Sequence, residues 1–241
     1  MIPKIIIQDR KVCSFLFGEE INGETFQIVR AFDQFIIERY KRIVIESVPS
    51  YHMVTVFFNK SIVHTKVLQE IIEAWNTYSI HLQFKESRKV TIPVCYETPF
   101  SLDLARVAFV NNLTIEEVVE MHCESNYTVF LIGFLPGFPY LGGLREEIYC
   151  PRLDVPRRFV EKGSVGIGGK QTGIYPIDSP GGWNIIGKTP IPLFDLNRTR
   201  PFLLQAGDRL SFKSITMEQF QEIEYQLKED SNAVIESFLE S

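Results

Sequence analysis

Glycine is distributed unevenly along this chain, and that unevenness limits what it can fold into. Gly18 and Gly23 are the only glycines before Gly133, and the other thirteen lie between Gly133 and Gly207. Eleven of the thirteen prolines fall between Pro93 and Pro201. Glycine supplies the positive φ of tight turns, and proline interrupts ladders and helices. The C-terminal region is therefore expected to be a loop-rich β structure, and the N-terminal region to hold regular helices and strands. With 241 residues the chain is long enough for two such domains.

In the first region Val12 to Phe17, Ile43 to Val48 and His52 to Phe58 read as strands, with a Pro49-Ser50-Tyr51 turn between the last two. Phe26, Val29, Phe32, Ile36 and Tyr40 recur at helical spacing after Asn22, a candidate N-cap. Val67, Leu68, Ile71, Ile72 and Trp75 give a second amphipathic helix. With Arg88 to Cys95 as closing strand, shared with the following domain, the order β-α-β-β-α-β predicts a ferredoxin-like α+β domain whose own residues are 1–87.

The remainder, 88–241, reads as a β-barrel domain with a C-terminal helix. Thr114-Ile115-Glu116-Glu117 is a capping box and predicts a helix start. From Tyr127 to Phe212 short strand candidates alternate with Gly and Pro turns, in numbers that suggest a closed or nearly closed barrel. Met217 to Leu227 and Ala233 to Leu239 read as a terminal helix broken near Asp230.

A net charge of −5 and a pI of about 5.5 argue against a nucleic-acid partner. Cys13, Cys95, Cys123 and Cys150 form no C-x-x-C pair and read as reduced thiols. Met1 to Arg10 lacks the apolar core of a signal peptide. The apolar stretch Val129 to Leu144 is broken by glycines and prolines and falls short of the ~20 residues of a bilayer span. A cytoplasmic protein without a membrane partner is the expectation.

Gly163 to Thr172 resembles a phosphate loop but departs from one at both defining positions. Ser164 stands where a Walker A loop needs Gly, and Gln171 stands where it needs Ser or Thr. A strand and turn whose glycines let another backbone or a ligand approach fits better. The histidines are His52, His64, His81 and His122, so the Gly-rich region has none of its own. No metal-binding spacing occurs. Four groups in the barrel region combine apolar walls with polar atoms, the usual makeup of a small-molecule site. They are Phe134 to Gly143, the Arg152 and Arg157 pair, Gln171 to Pro176, and Ser179 to Gly187. Phe138, Tyr140, Gln171, Tyr175 and Trp183 are expected to line one pocket.

These segments carry a resemblance. Gly133 to Leu144, Gly163 to Pro180 and Gly181 to Pro190, with Ile92 to Tyr96, Val48 to Tyr51 and Gly207-Asp208, are similar to a family with three names. It is known as the B component of 5-oxoprolinase, as allophanate hydrolase subunit 1 and as the kinase-inhibitor KipI family. Glu97-Thr98, Glu161-Lys162 and Gln8-Asp9 depart from the family pattern, all in turns. The resemblance implies a ferredoxin-like domain followed by a cyclophilin-like β-barrel. It implies one part of an ATP-dependent amidohydrolase that converts 5-oxoproline to glutamate. The partners it implies are homologues of the A component and of the larger, cyclophilin-like C component. ATP and magnesium would be used by the assembled complex, and this chain alone would bind no cofactor. Arg152 or Arg157 would take the substrate carboxylate, and Gln171, Tyr175 and Asn184 would orient it. Phe138, Tyr140 and Trp183 would form the wall, with His122 as a proton-transfer candidate. The same family implies two alternatives, an inhibitor of a sporulation histidine kinase and an allophanate hydrolase subunit.

Overall fold

A computed structural model describes residues 1–19, 23–63, 66–80, 87–198 and 200–240. Asn22, the expected N-cap, lies outside the described residues. The chain divides into two compact units, Met1–Glu86 and Ser87–Ser241.

The first unit runs β1 (Lys4–Asp9), β2 (Val12–Leu16), α1 (Gly23–Tyr40), β3 (Val44–Pro49), β4 (Met53–Phe58) and α2 (Val67–Ser79). Its sheet has the order β1-β2-β4-β3 and is antiparallel throughout. Helical spacing puts Phe26, Val29, Phe32 and Ile36 on one buried face of α1. The period of two in β4 buries Val54, Val56 and Phe58 against them. Trp75 of α2 meets Phe32 edge to face at 5.0 Å, and its indole donates to the Met1 carbonyl at 3.0 Å. Truncating so large a buried ring typically costs about 3–5 kcal/mol.

The edge strand beside β2 is β1, not the expected Arg88–Cys95 segment. That segment is β5 (Lys89–Cys95), and it belongs to the second unit. The physical reason is burial. From Val90 to Cys95 every residue except the half-buried Thr91 is buried, so β5 needs cover on both faces and sits inside a closed sheet.

The second unit continues with α3 (Leu104–Asn111), α4 (Ile115–Glu124), β6 (Tyr127–Ile132) and β7 (Pro139–Gly142). A short 3₁₀ turn at Glu146–Ile148 leads to β8 (Arg157–Val160), β9 (Ser164–Gly168), β10 (Gln171–Ile174), β11 (Ser179–Gly181) and β12 (Asn184–Lys188). β13 (Arg209–Ile215), α5 (Met217–Glu229), α6 (Ser231–Glu236) and β14 (Leu239–Glu240) complete the chain. Seven strands pair as β12-β9-β10-β7-β6-β13-β5, and β5 returns to β12 through Lys188 and Cys95, so the sheet closes into a barrel. β5 runs parallel to β13 over its whole length, and β14 covers the other end of its free edge. β8 and β11 form a separate ribbon. Ile92, Val129, Leu141, Val165, Ile167 and Ile186 are fully buried in the barrel core.

The Thr114–Glu117 capping box is present, and Thr216 with Gln219 forms a second at the start of α5. Each satisfies two orphan N–H groups and is worth about 1 kcal/mol. Asp230 ends α5 and caps α6 by accepting from the Ala233 N–H at 3.0 Å. Among the described residues no helix is long and apolar enough to cross a membrane.

Candidate functional site

β9 and β10 are adjacent strands, and their glycines make room for one side chain. A Cβ at Gly168 would lie 2.5 Å from the Trp183 indole, and one at Gly173 would lie 3.0 Å from it. Only glycine lets the Trp183 ring lie this close to the sheet. Phe138 packs edge to face on Trp183 (5.4 Å) and on Tyr175 (5.3 Å), and Tyr140 closes the cluster 5.0 Å from Phe138. Four of the expected pocket residues therefore meet, but they fill the space between them as a packed cluster and do not line an open pocket. Phe138, Tyr175 and Trp183 are buried against one another, and Tyr140 is half-exposed.

The exposed Arg152 guanidinium lies over the Trp183 ring, 5.7 Å from its centroid. Among the described residues it has no carboxylate partner. Burial pushes the Tyr175 phenol above its usual range. The Trp183 backbone N–H and the charges of Arg152 and Arg157 oppose that rise. The phenol thus lies in the field of two guanidinium groups.

Arg157 starts β8 and does not mirror Arg152. Its Nη2 donates to Asp103 Oδ1 at 2.6 Å, and Asp103 Oδ2 accepts the Ile185 backbone N–H at 2.7 Å. Its Nη1 is buried and has no partner. It borders a cavity of about 290 Å³ whose other walls include Phe100, Leu102, Phe159, Ile185 and Lys188. Lys188 Nζ pairs with Glu161 at 2.5 Å and lies 5.1 Å from the Phe100 ring centroid.

Two expected site residues have their polar atoms engaged inside the fold. Asn184 is fully buried. Its Oδ1 accepts from Arg106 Nη1, and its Nδ2 donates to the Pro151 and Ile167 carbonyls at 2.9 and 3.0 Å. His122 is 0% exposed and stacks on Phe212 with ring centroids 4.4 Å apart. Thr172 donates its hydroxyl to the Gly166 carbonyl at 3.0 Å, so it accepts from His122 Nε2–H at 3.0 Å. Nδ1 then accepts the Tyr96 hydroxyl at 2.7 Å. Burial holds the imidazole at a pKa of about 3, so it is neutral at physiological pH. Gln171 opens β10, opposite Gly168, and is half-buried.

The glycine-rich segment is not shaped as a phosphate cradle. β9 is paired on both edges, by β10 and β12. The flanking N–H groups also donate internally: Gly163 to the Tyr175 carbonyl at 2.7 Å and Gly169 to that of Cys150 at 2.8 Å. These residues do not fit a nucleotide triphosphate.

Asp103 and Arg106 were not singled out in the sequence. Their signal was present, since both are charged residues in the apolar run from Leu102 to Val110, and charges packed among apolar residues need partners.

Comparison with known proteins places this architecture. TTHA0988, a solved structure, superposes with a TM-score of 0.71 at 30% identity, covering 85% of this chain. This chain spans 40% of that one, so the shared portion sits within a longer polypeptide there. The Kluyveromyces lactis urea amidolyase shares the fold, with a TM-score of 0.69 at 19% identity over 97% of this chain and 17% of that one. The B component of the Bacillus subtilis 5-oxoprolinase is 39% identical over 226 residues, 90% of this chain and 92% of that protein. Its Haemophilus influenzae counterpart is 44% identical over 169 residues, 70% of this chain and 78% of that protein. Residues 6–204 match the family described as the carboxyltransferase domain, subdomain C and D, and the chain belongs to that family.

Proposed function

We propose that this chain is the B component of an ATP-dependent 5-oxoprolinase. It acts with homologues of the A and C components to open the lactam of 5-oxoproline to glutamate. The observation that carries the reading is the likeness to a 5-oxoprolinase B component over nine-tenths of both chains. The finer fold reading follows the same line. The β2-α1-β3-β4-α2 run of the first unit is a ferredoxin-like arrangement with β1 as its fourth strand, and the barrel is cyclophilin-like.

A five-membered lactam is a stable amide and a poor electrophile, and ATP with magnesium supplies its activation in the complex. No residue of this chain is assigned to that step. In this reading the chain binds and orients. Arg152, held over Trp183 without an acidic partner, receives the substrate carboxylate. The half-exposed Tyr140 forms the wall, and Gln171 borders it. His122 and Asn184 are structural supports. The loop from Gly133 turns most of its apolar side chains inward, but Phe134 stays 68% exposed and is an anchor for the C component.

The urea amidolyases favour a second reading, with allophanate as substrate. The Saccharomyces cerevisiae protein of that name is 27% identical over 66% of this chain. The test is ATP turnover by the purified chain with 5-oxoproline or allophanate, alone and after adding the A and C components. Turnover with 5-oxoproline only in the mixture is expected. Turnover by the isolated chain, or a mixture active on allophanate alone, overturns the main reading. Inhibition of a histidine kinase by a chain inert in every mixture would support the regulator.

A further inference from the structure

We propose that Phe134 is a preorganised anchor whose ring inserts into an apolar pocket, rimmed by carboxylates, on the C component. The proposal deepens the reading of this chain as one part of an assembly and rests on it.

The argument begins with the backbone. Phe134 has a φ of +66°, in the left-handed region that a bulky L residue rarely adopts. The Leu135 N–H donates to the Gly133 carbonyl at 2.8 Å, so Phe134 is the central residue of a three-residue turn of the rarer, strained hand. Two further bonds lock the turn. The Gly133 N–H donates to the Phe138 carbonyl at 3.1 Å, and the Phe138 N–H to that of Leu135 at 3.0 Å. Glycine adopts this conformation without strain, yet the position holds a phenylalanine that is 68% exposed. Backbone strain and exposed apolar area are both costs to the fold. An interface offsets both, and a ring already held in place loses little freedom on binding.

The surroundings extend the surface. Gly137, in the same turn, lies against the 194–202 loop: a Cβ there would stand 3.1 Å from Phe194 Cβ and 3.5 Å from the Phe202 ring. The Phe194 and Phe202 rings are 5.2 Å apart, and Phe202 is 48% exposed. Such exposed apolar patches mark protein contacts, and aromatic residues dominate their energetics.

Charge selects the occupant. In the 194–202 loop Asp195 and Arg198 lie in each other's field. Arg200 is exposed two residues before Phe202 and has no carboxylate partner among the described residues. The loop thus keeps an uncompensated positive charge on a chain whose net charge is −5. A two-fold contact between copies would bring this patch, Arg200 included, against itself, and like charges oppose that. A different chain with carboxylates around an apolar pocket fits, and the functional reading supplies one in the C component.

The experiment measures binding of the full chain to the purified C component homologue by calorimetry, with thermal melting of each variant. Phe134→Gly removes the ring and the strain together. It should melt at or above the wild-type temperature, yet bind about thirtyfold more weakly or worse, the scale of an interface hot spot. Arg200→Glu should weaken binding about tenfold at low salt, and the difference should shrink at high salt. Wild-type affinity in Phe134→Gly, unchanged or tighter binding in Arg200→Glu, or no complex with the C component overturns the proposal. So does dimerisation of the chain alone that Phe134→Gly abolishes, since the occupant is then a second copy. Failure of the functional reading looks different. A mixture with the A and C components that ignores 5-oxoproline, while C binding still depends on Phe134 and Arg200, removes the reading and keeps the docking surface. An active mixture whose C binding is indifferent to both residues does the reverse.

Discussion

The neighbourhoods of His122 and Arg157 lie in the same barrel unit, and both set a polar side chain among apolar ones. Around His122 the hydrogen bonds are complete. Both ring nitrogens have partners, and the His122 carbonyl accepts the Tyr127 hydroxyl at 2.8 Å. Around Arg157 one nitrogen is paired and another is left without an acceptor. Completeness separates the two roles. A closed network fixes the fold, whereas a buried donor left unpaired carries a local cost.

The largest expected effect is on the closed side. Asn184→Leu removes one of the three acceptors of Arg106 Nη1 and the side-chain donor to the buried Ile167 carbonyl. Urea denaturation should show a loss of about 3 kcal/mol or more. A loss below about 1 kcal/mol would mean that the Asn184 network is not closed after all.

Acid probes His122 itself. Its folded pKa of about 3 lies below the ordinary 6.5, so the unfolded state binds the proton first as pH falls. This contribution is level above pH 6.5, declines between 6.5 and 3, and levels off again below. The slope is about 1.4 kcal/mol per pH unit, so about 2 kcal/mol is lost by pH 5. His122→Gln should remove that portion of the acid sensitivity, compared at pH 7.5 and pH 5. An identical pH dependence in the two proteins would show that the imidazole is not held neutral.

The smallest stability effect belongs to the open side. Arg152→Ala should change stability by less than about 0.5 kcal/mol, since the side chain is exposed and has no acidic partner. In the assembled complex it should raise KM for 5-oxoproline roughly tenfold with kcat little changed. A KM within twofold of wild type would remove Arg152 from the site.

Much of the fold was legible because it is written locally. The spacing of Phe26, Val29, Phe32 and Ile36, the Thr114 capping box and the break at Asp230 all concern residues within a few positions of one another. β5 was readable as a strand but not as a barrel strand, because its partner β13 lies more than a hundred residues downstream. Its nearly unbroken apolar run was the usable sign, in contrast with the alternation of β4. In the site, the coming together of Phe138, Tyr140, Tyr175 and Trp183 was legible, but not that the glycines of β9 and β10 seat Trp183 or that three of the four rings are buried against one another. The partners of Arg157, Asn184 and His122 were not. Asp103, Arg106, Tyr96 and Thr172 reach them across 26 to 78 residues.

The pairing of β5 with β13 also sets an order of events during synthesis. The first unit draws its sheet and helices from the first 79 residues, so it can form while most of the chain is still being made. The barrel cannot close until Arg209–Ile215 has left the ribosome, because those residues flank β5 along its whole length. Until then β5 has an unpaired, strongly apolar edge, the kind of segment that chaperones hold and neighbouring chains capture. Recombinant yield should therefore depend more on conditions that protect this nascent strand than on the stability of the finished protein.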